Sequence, residues 1–162
     1  MPVIRIETPI EAPPERCFDL ARSVEAHLQS TAKTGERLVG GVTSGLIGPG
    51  ETVTWEAIHF GVRQRLTSRI TRFERPRLFV DEMVRGAFRS FVHAHEFIAE
   101  GDVTRMIDRF EFESPFGILG RIADSLLLTA HMRRFLIERA SELKRAAEQS
   151  LNARSRVDPK AS

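Results

Sequence analysis

Between Phe91 and Phe112 the chain alternates apolar and polar residues on both sides of Gly101-Asp102, a pair suited to the tight two-residue turns that join antiparallel strands. Setting the turn there sets the register. Glu100 faces Val103, so Phe97 faces Met106, His95 faces Asp108, His93 faces Phe110 and Phe91 faces Phe112. All of these share one side, because successive side chains of a strand point to opposite faces. The other side carries Glu96, Arg105, Arg109, Glu111 and Glu113, with Val92, Ile98 and Ile107 among them. A chain with this hairpin has to cover the apolar side, and in doing so it takes two imidazoles and a carboxylate out of water. That side is either a core with a satisfied polar pair or the lining of a ligand cavity.

The preceding segments agree with a sheet that is wet on one face. Residues 51–60 and 62–73 form a second hairpin turning at Phe60-Gly61. Pairing His59 with Val62 sets Trp55, Ala57 and His59 beside Leu66, Gln64 and Val62 on one face, and Glu56 beside Arg65 on the other, where Arg63, Arg69, Thr67 and Thr71 also point. After the turn Glu74-Arg75-Pro76-Arg77 comes a strand over 78–84. Pairing Phe73 with Leu78 brings Ile70 to Asp81 and Ser68 to Met83 and points Asp81 inward; a shift by one residue buries Val80 and Val84 instead, and both registers stay open. Gly86-Ala87-Phe88 then connects back to the first hairpin, and with Asp81 inward it faces His93, so that each histidine has a carboxylate across the strand.

At the N-terminal end, residues 3–7 alternate as a short strand. Prolines 13 and 14 with Glu15 open a helix, since a first-turn proline lacks only a donor that has no partner there, and an acid suits the positive end of the dipole. Ser23 caps a second short helix running to about Thr31, with Val24, His27 and Leu28 inward and His27 read as structural. A strand over 37–40 leads into the glycine-rich stretch 41–50. No Gly-Lys-Ser/Thr follows it and a strand comes next, so it reads as a connection at a cavity mouth and not as a phosphate cradle. Ser114-Pro115-Phe116-Gly117 ends the sheet. A long helix follows from about Gly117 to Gln149, with Leu119, Ile122, Ala123, Leu126, Leu127, Ala130, Ile137 and Leu143 as its apolar positions. Residues 150–162 are polar and without period, a disordered tail.

With 162 residues, 41% hydrophobic and 28% charged, the chain suits one soluble domain over 1–149, and no apolar run approaches the roughly 20 residues of a membrane span. A cytoplasmic protein without stable membrane insertion is expected. Cys17 is alone, so no internal disulfide forms, and it reads as a small buried hydrophobe. A net charge of +2 with scattered arginines, no tyrosine and few aromatics other than Phe argues against nucleic acid.

The order of one strand, two short helices, six strands and a long C-terminal helix, with Ile10-Glu11-Ala12-Pro13-Pro14-Glu15-Arg16-Cys17-Phe18-Asp19-Leu20, resembles the START-like superfamily, also called SRPBCC or helix-grip. Within it the likeness is to proteins named only as ligand-binding SRPBCC-domain proteins. The matching stretches include Gly41-Val42-Thr43-Ser44-Gly45-Leu46-Ile47-Gly48, Val53-Thr54-Trp55, Phe79-Val80-Asp81-Glu82, His93-Ala94-His95-Glu96-Phe97 and Asp108-Arg109-Phe110-Glu111. The fold class so implied is α+β: a curved antiparallel sheet of about seven strands wrapped around the C-terminal helix. The resemblance also implies a deep apolar cavity for a lipid, polyketide, isoprenoid or aromatic ligand, but no particular reaction, since carriers, sensors and cyclases share the scaffold.

The expected cavity residues are Trp55, His59, Asp81 and Met83 from the middle strands, Phe91, His93, His95 and Phe97 from the next, and Met106, Asp108, Phe110 and Phe112 from the last. The polar members admit four readings: buried partners that satisfy each other, a grip on the polar end of an apolar ligand, a general base for a cyclase or dehydrase-type enzyme with His95, Asp108 and His93 as candidates, or a metal site. Two histidines two apart lie roughly 7 Å from one another along a strand, near enough to share an ion with Asp108. No catalytic residue, metal or cofactor is assigned from the sequence. The function expected is the carrying or sensing of a hydrophobic small molecule by a monomer or homodimer, with the cyclase or dehydrase-type enzyme as the alternative.

Overall fold

The structure is a computed structural model, and it describes residues 1–114 and 123–155. Its elements run β1 (Val3–Ile10), α1 (Pro14–Ala21), α2 (Val24–Ser30), a 3-10 turn (Ala32–Thr34), β2 (Arg37–Gly41), β3 (Thr52–His59), β4 (Val62–Glu74), β5 (Leu78–Arg85), β6 (Ser90–Glu100), β7 (Val103–Glu113) and α3 (Ala123–Ser155). The seven strands form one antiparallel sheet in the order β1-β7-β6-β5-β4-β3-β2. With the long C-terminal helix and two short helices after the first strand, this is the helix-grip arrangement.

Both hairpins have the expected register: Glu100 opposite Val103 and His95 opposite Asp108 in β6–β7, His59 opposite Val62 and Trp55 opposite Leu66 in β3–β4. Their turns rest on left-handed backbone at Phe60, Gly61 and Gly101, which matches the right-handed strand twist. The β4–β5 ladder differs in detail. Phe73 pairs with Phe79 and not with Leu78, and an irregularity between Ile70 and Arg72 takes up the extra residue, so Ile70 still meets Asp81 and Ser68 still meets Met83. Asp81 lies across from His93. Val84, which the shifted register would bury, is exposed.

The covered face is filled unevenly. At one end Phe18 of α1, fully buried, meets Phe73, Phe79 and Phe97 edge-on with ring centroids 5.2–5.5 Å apart. Ala140, Leu143 and Ala147 of α3 close over this cluster. Arg16 donates to the carbonyls of Ala147 and Ala146, and Lys144 to that of Pro9, tying the C-terminal half of α3 to α1 and β1. Cys17 is buried here, and burial pushes its thiol pKa up, as suits a packing residue.

Two expectations for the last helix need correction. The stripe assigned to Leu126, Leu127, Ala130 and Ile137 is largely exposed, Leu126 at 72% and Leu127 at 68%; the buried positions are Met132, Leu136, Ala140, Leu143 and Ala147. Leu126-Leu127-Leu128 presents apolar side chains in three directions, so period alone does not orient the helix. The small Ala140 and Ala147, which permit close approach to β1 and α1, do. The helix also runs through Ser155, so residues 150–155 are helical where disorder was expected. No proline or glycine interrupts it there. The expected start at Gly117, with Leu119 and Ile122, lies outside the described residues, as do Pro115, Phe116 and residues 156–162.

Candidate functional site

Where α3 leaves α1 behind, it stands off the sheet and leaves a cavity of about 450 Å³. The side chains that enclose it come from β3–β7 below, the end of α1, α2 and the glycine-rich loop at one side, and α3 above. The size lies within the roughly 300–1,000 Å³ usual for small-molecule sites. Most of the wall is apolar: Trp55, Ala57, Leu66, Phe79, Phe91 and Met132 among others.

Of the expected residues, Trp55, His59, Asp81, Phe91, His93, His95 and Phe110 line this cavity. Met83, Phe97, Met106 and Phe112 do not. Phe97 and Met106 belong to the packed cluster under α1, and Phe112 lies fully buried in the cluster with Met132 and Leu136, against which Met83 packs. Strand alternation tells which face is covered, but not how far from it the covering helix stands. Asp108 also falls outside the main cavity; it sits behind the histidines, beside Met106 and Leu143.

The polar groups form a chain. Asp108 Oδ1 lies 2.7 Å from His95 Nδ1, and His95 Nε2 lies 3.1 Å from Asp81 Oδ1. The expected pairing of each histidine with its own carboxylate is therefore not what forms: both carboxylates engage His95. His93 Nε2 is 3.3 Å from Asp108 Oδ1, but without the direction of a hydrogen bond, and it is a buried nitrogen with no partner. The rings of His93 and His95 lie 3.8 Å apart, and Phe79 stacks on His95 from the other side at 4.3 Å.

This order of contacts separates the two imidazoles electrically. Burial and the charge of His95 push the His93 pKa down to about 4, so His93 is neutral near pH 7. Burial also disfavours charge on His95, but Asp108 and Asp81 overcome it and raise its pKa. For the two carboxyls burial alone would raise the pKa, and the neighbouring imidazoles hold both below the usual carboxylate range. The wall thus sets an imidazole whose protonation the two carboxylates favour beside one whose protonation burial disfavours.

Two further polar groups border the cavity. His27, read as structural, stacks on Trp55 at 4.0 Å with its Nε2 2.7 Å from Glu36 Oε2. Burial and the charge of Arg139 lower the His27 pKa. Burial works against the Glu36 carboxylate, but the His27 hydrogen bond keeps its pKa low. At the other end, His59 Nδ1 and His131 Nε2 are 3.1 Å apart, with the exposed Phe60 ring against His131. Glu36, Gln64, His131 and Arg139 are lining residues that the sequence reading missed. For Gln64 the signal was present, because it pairs with Ala57 on the inner face. For His131 and Arg139 it depended on the orientation of α3.

The glycine-rich stretch borders the cavity. Ile47 lines the cavity, its amide donates to the Arg22 carbonyl, and the Gly45 and Gly48 amides are taken by the carboxylates of Glu25 and Glu51. Amides engaged by the protein's own carboxylates agree with a connection and not a phosphate cradle. No described helix is long and apolar enough to cross a membrane.

No family model matches the chain, and no curated protein matches it. Solved structures are similar to it. The Zhui aromatase/cyclase from Streptomyces sp. R1128 superposes with a TM-score of 0.73 at 12% identity, over 93% of this chain and 95% of that one. The protein TTHA0849 from Thermus thermophilus gives 0.68 at 21% identity, over 91% and 100%. A START superfamily protein from Mycobacterium smegmatis gives 0.68 at 12%, over 91% and 97%. Identities this low speak for the fold and for nothing finer.

Proposed function

The chain has the START-like helix-grip fold, and from that premise we propose that it binds a hydrophobic small molecule between the sheet and α3, as a carrier or a sensor. The observation that carries this reading is the apolar cavity of about 450 Å³ with its ionisable groups gathered at one wall. An apolar enclosure with a few placed polar groups is the usual division of labour in a ligand site, the first giving affinity and the second orientation. A lipid, polyketide or isoprenoid fits this description. Its oxygen-bearing end would lie against Asp81, His93 and His95, and its body along Trp55, Leu66 and Phe91.

A second reading is favoured by one feature. His95 borders the cavity with Asp108 at its Nδ1 and Asp81 at its Nε2, and an imidazole set against carboxylates is the pairing a general acid or base uses. The aromatase/cyclase among the similar structures makes a cyclase or dehydrase-type reaction the natural form of that alternative.

Native mass spectrometry and solvent extraction of protein purified from its own cells test the binding reading. A bound apolar compound supports it; protein that neither carries nor takes up any such compound overturns it. With the compound in hand, His95→Asn and Asp108→Asn separate the two readings. In a carrier each change weakens binding by about ten-fold or less, whereas in an enzyme binding persists and turnover falls by orders of magnitude.

A further inference from the structure

Asp81, His93 and His95 bring one carboxylate oxygen and two imidazole nitrogens within 4.8 Å of one another on the cavity wall. We propose that this trio binds a divalent transition-metal ion, zinc or an ion of similar preference, whose remaining coordination position opens into the apolar cavity. The proposal goes beyond hydrophobic-ligand binding. It also differs from the metal reading left open by the sequence, in which Asp108 was the third donor.

Four features support it. Two imidazoles and one carboxylate are a donor set for zinc and its first-row neighbours, not for calcium or magnesium, which take oxygen. His95 Nε2 and Asp81 Oδ1 are 3.1 Å apart, close to the roughly 3.3 Å that separates two donors held by one tetrahedral ion at about 2.0–2.1 Å. Those two atoms therefore already stand at the spacing of co-ligands. Third, Asp108 backs His95: its Oδ1 lies 2.7 Å from Nδ1, behind the ring whose Nε2 faces Asp81. A carboxylate behind a ligating histidine is the usual way a metal site orients its ligand and raises its basicity.

The fourth feature is His93. Its side chain is almost wholly buried, and its Nε2 has no hydrogen-bond partner. A buried polar nitrogen left unpaired costs stability, and a small ring movement toward Asp81 and His95 would give it an ion to ligate. The three donors sit on two adjacent strands inside the sheet, β5 and β6, with Asp81 directly across from His93, so the scaffold is rigid. Arg139 also borders this wall, but the carboxylates of Asp81, Asp108 and Glu36 outnumber it. Three protein donors with one side open to a cavity is the form of a site that receives a ligand on its metal.

The test uses the full chain, stripped with a chelator and titrated with cobalt(II), then with zinc in competition. The expected result is one equivalent bound with a micromolar or tighter dissociation constant, and visible ligand-field bands of a four- or five-coordinate ion. Asp81→Asn and His93→Gln should each weaken binding by at least ten-fold. Asp108→Asn, which removes no donor, should weaken it by about 10–100-fold. Circular dichroism checks that each variant folds; should one fail, X-ray absorption of the zinc-loaded wild type must show two imidazole ligands. Wild type that binds no ion at millimolar concentration overturns the proposal. So does binding that survives Asp81→Asn but vanishes in the His59→Gln/His131→Gln double variant, because the ion then sits between those two histidines. No apolar ligand enters these measurements, so this proposal can fail without affecting the one above.

Discussion

Single residues decide where this fold is stapled, and Asp19 is the clearest case. It accepts from Arg22 at 2.7 Å and from Arg75 at 2.7 Å, joining α1 to the β4–β5 turn, while the Arg22 guanidinium lies over the rings of Phe18 and Phe73. The hydrogen bond from Arg75 and the charge of both arginines hold its carboxyl below the usual range. A carboxyl whose folded pKa is depressed contributes stability that is present above its unfolded pKa and lost as pH falls through the folded value. Asp19→Asn should therefore cost about 1 kcal/mol near neutral pH, since the pair is partly solvated, and progressively less as the pH falls below the usual carboxylate range. Urea unfolding of both proteins across that range checks it; a difference independent of pH would mean the role of Asp19 is steric. The i,i+3 spacing of Asp19 and Arg22 was visible in the sequence, but nothing there links either of them to Arg75. The placing of His95 opposite Asp108 was legible, because a two-residue turn permits no other register. The bond from His95 to Asp81 was not, because a register names the residue directly across and a long side chain reaches the diagonal one.

At the scale of elements, the strands were legible from alternation and the helix orientation was not. In β6 and β7 the buried Phe, Met, His and Asp side chains all fall on one face, so one register satisfies them. In α3 the triple leucine at 126–128 satisfies several orientations, and the one adopted depends on alanines whose value is their small size. The loops show the same dependence on close approach. Gly41 and Gly101 both have left-handed backbone, at φ 78° and 63°. A Cβ at Gly101 would meet nothing within 4 Å, but one at Gly41 would stand 2.1 Å from the Thr52 carbonyl oxygen. Gly101→Ala should accordingly cost only the left-handed penalty of about 1–2 kcal/mol, whereas Gly41→Ala should cost clearly more and loosen β2 from β3. Chemical denaturation ranks the two, and hydrogen exchange of the β2 amides locates the damage. Equal costs would show that β2 yields freely at its end.

For the whole molecule, the open matter is that a protein of this size leaves about 450 Å³ of its covered face unpacked. Composition did not reveal this, because the Phe and Met residues that line a cavity are the same ones that fill a core. A space held open by α3 forgoes the contacts that a filled interior would make, so the protein carries a stability deficit that an apolar guest removes on entering. Ala57 tests this directly. It is buried on β3 at the cavity wall, opposite Gln64. A phenylalanine there has room to enter the cavity without displacing the Phe18 cluster, which lies under α1. Ala57→Phe should reduce the affinity for an apolar fluorescent probe at least ten-fold, since probe and ring compete for one volume. The same change should leave the melting temperature within a few degrees of the unliganded wild type, because it adds contacts where none exist. In a closed core of ordinary density the insertion would instead cost about 1–3 kcal/mol through strain. A steep fall in melting temperature, with probe uptake unchanged, would mean that the space between sheet and α3 is closed in solution and that any guest binds elsewhere.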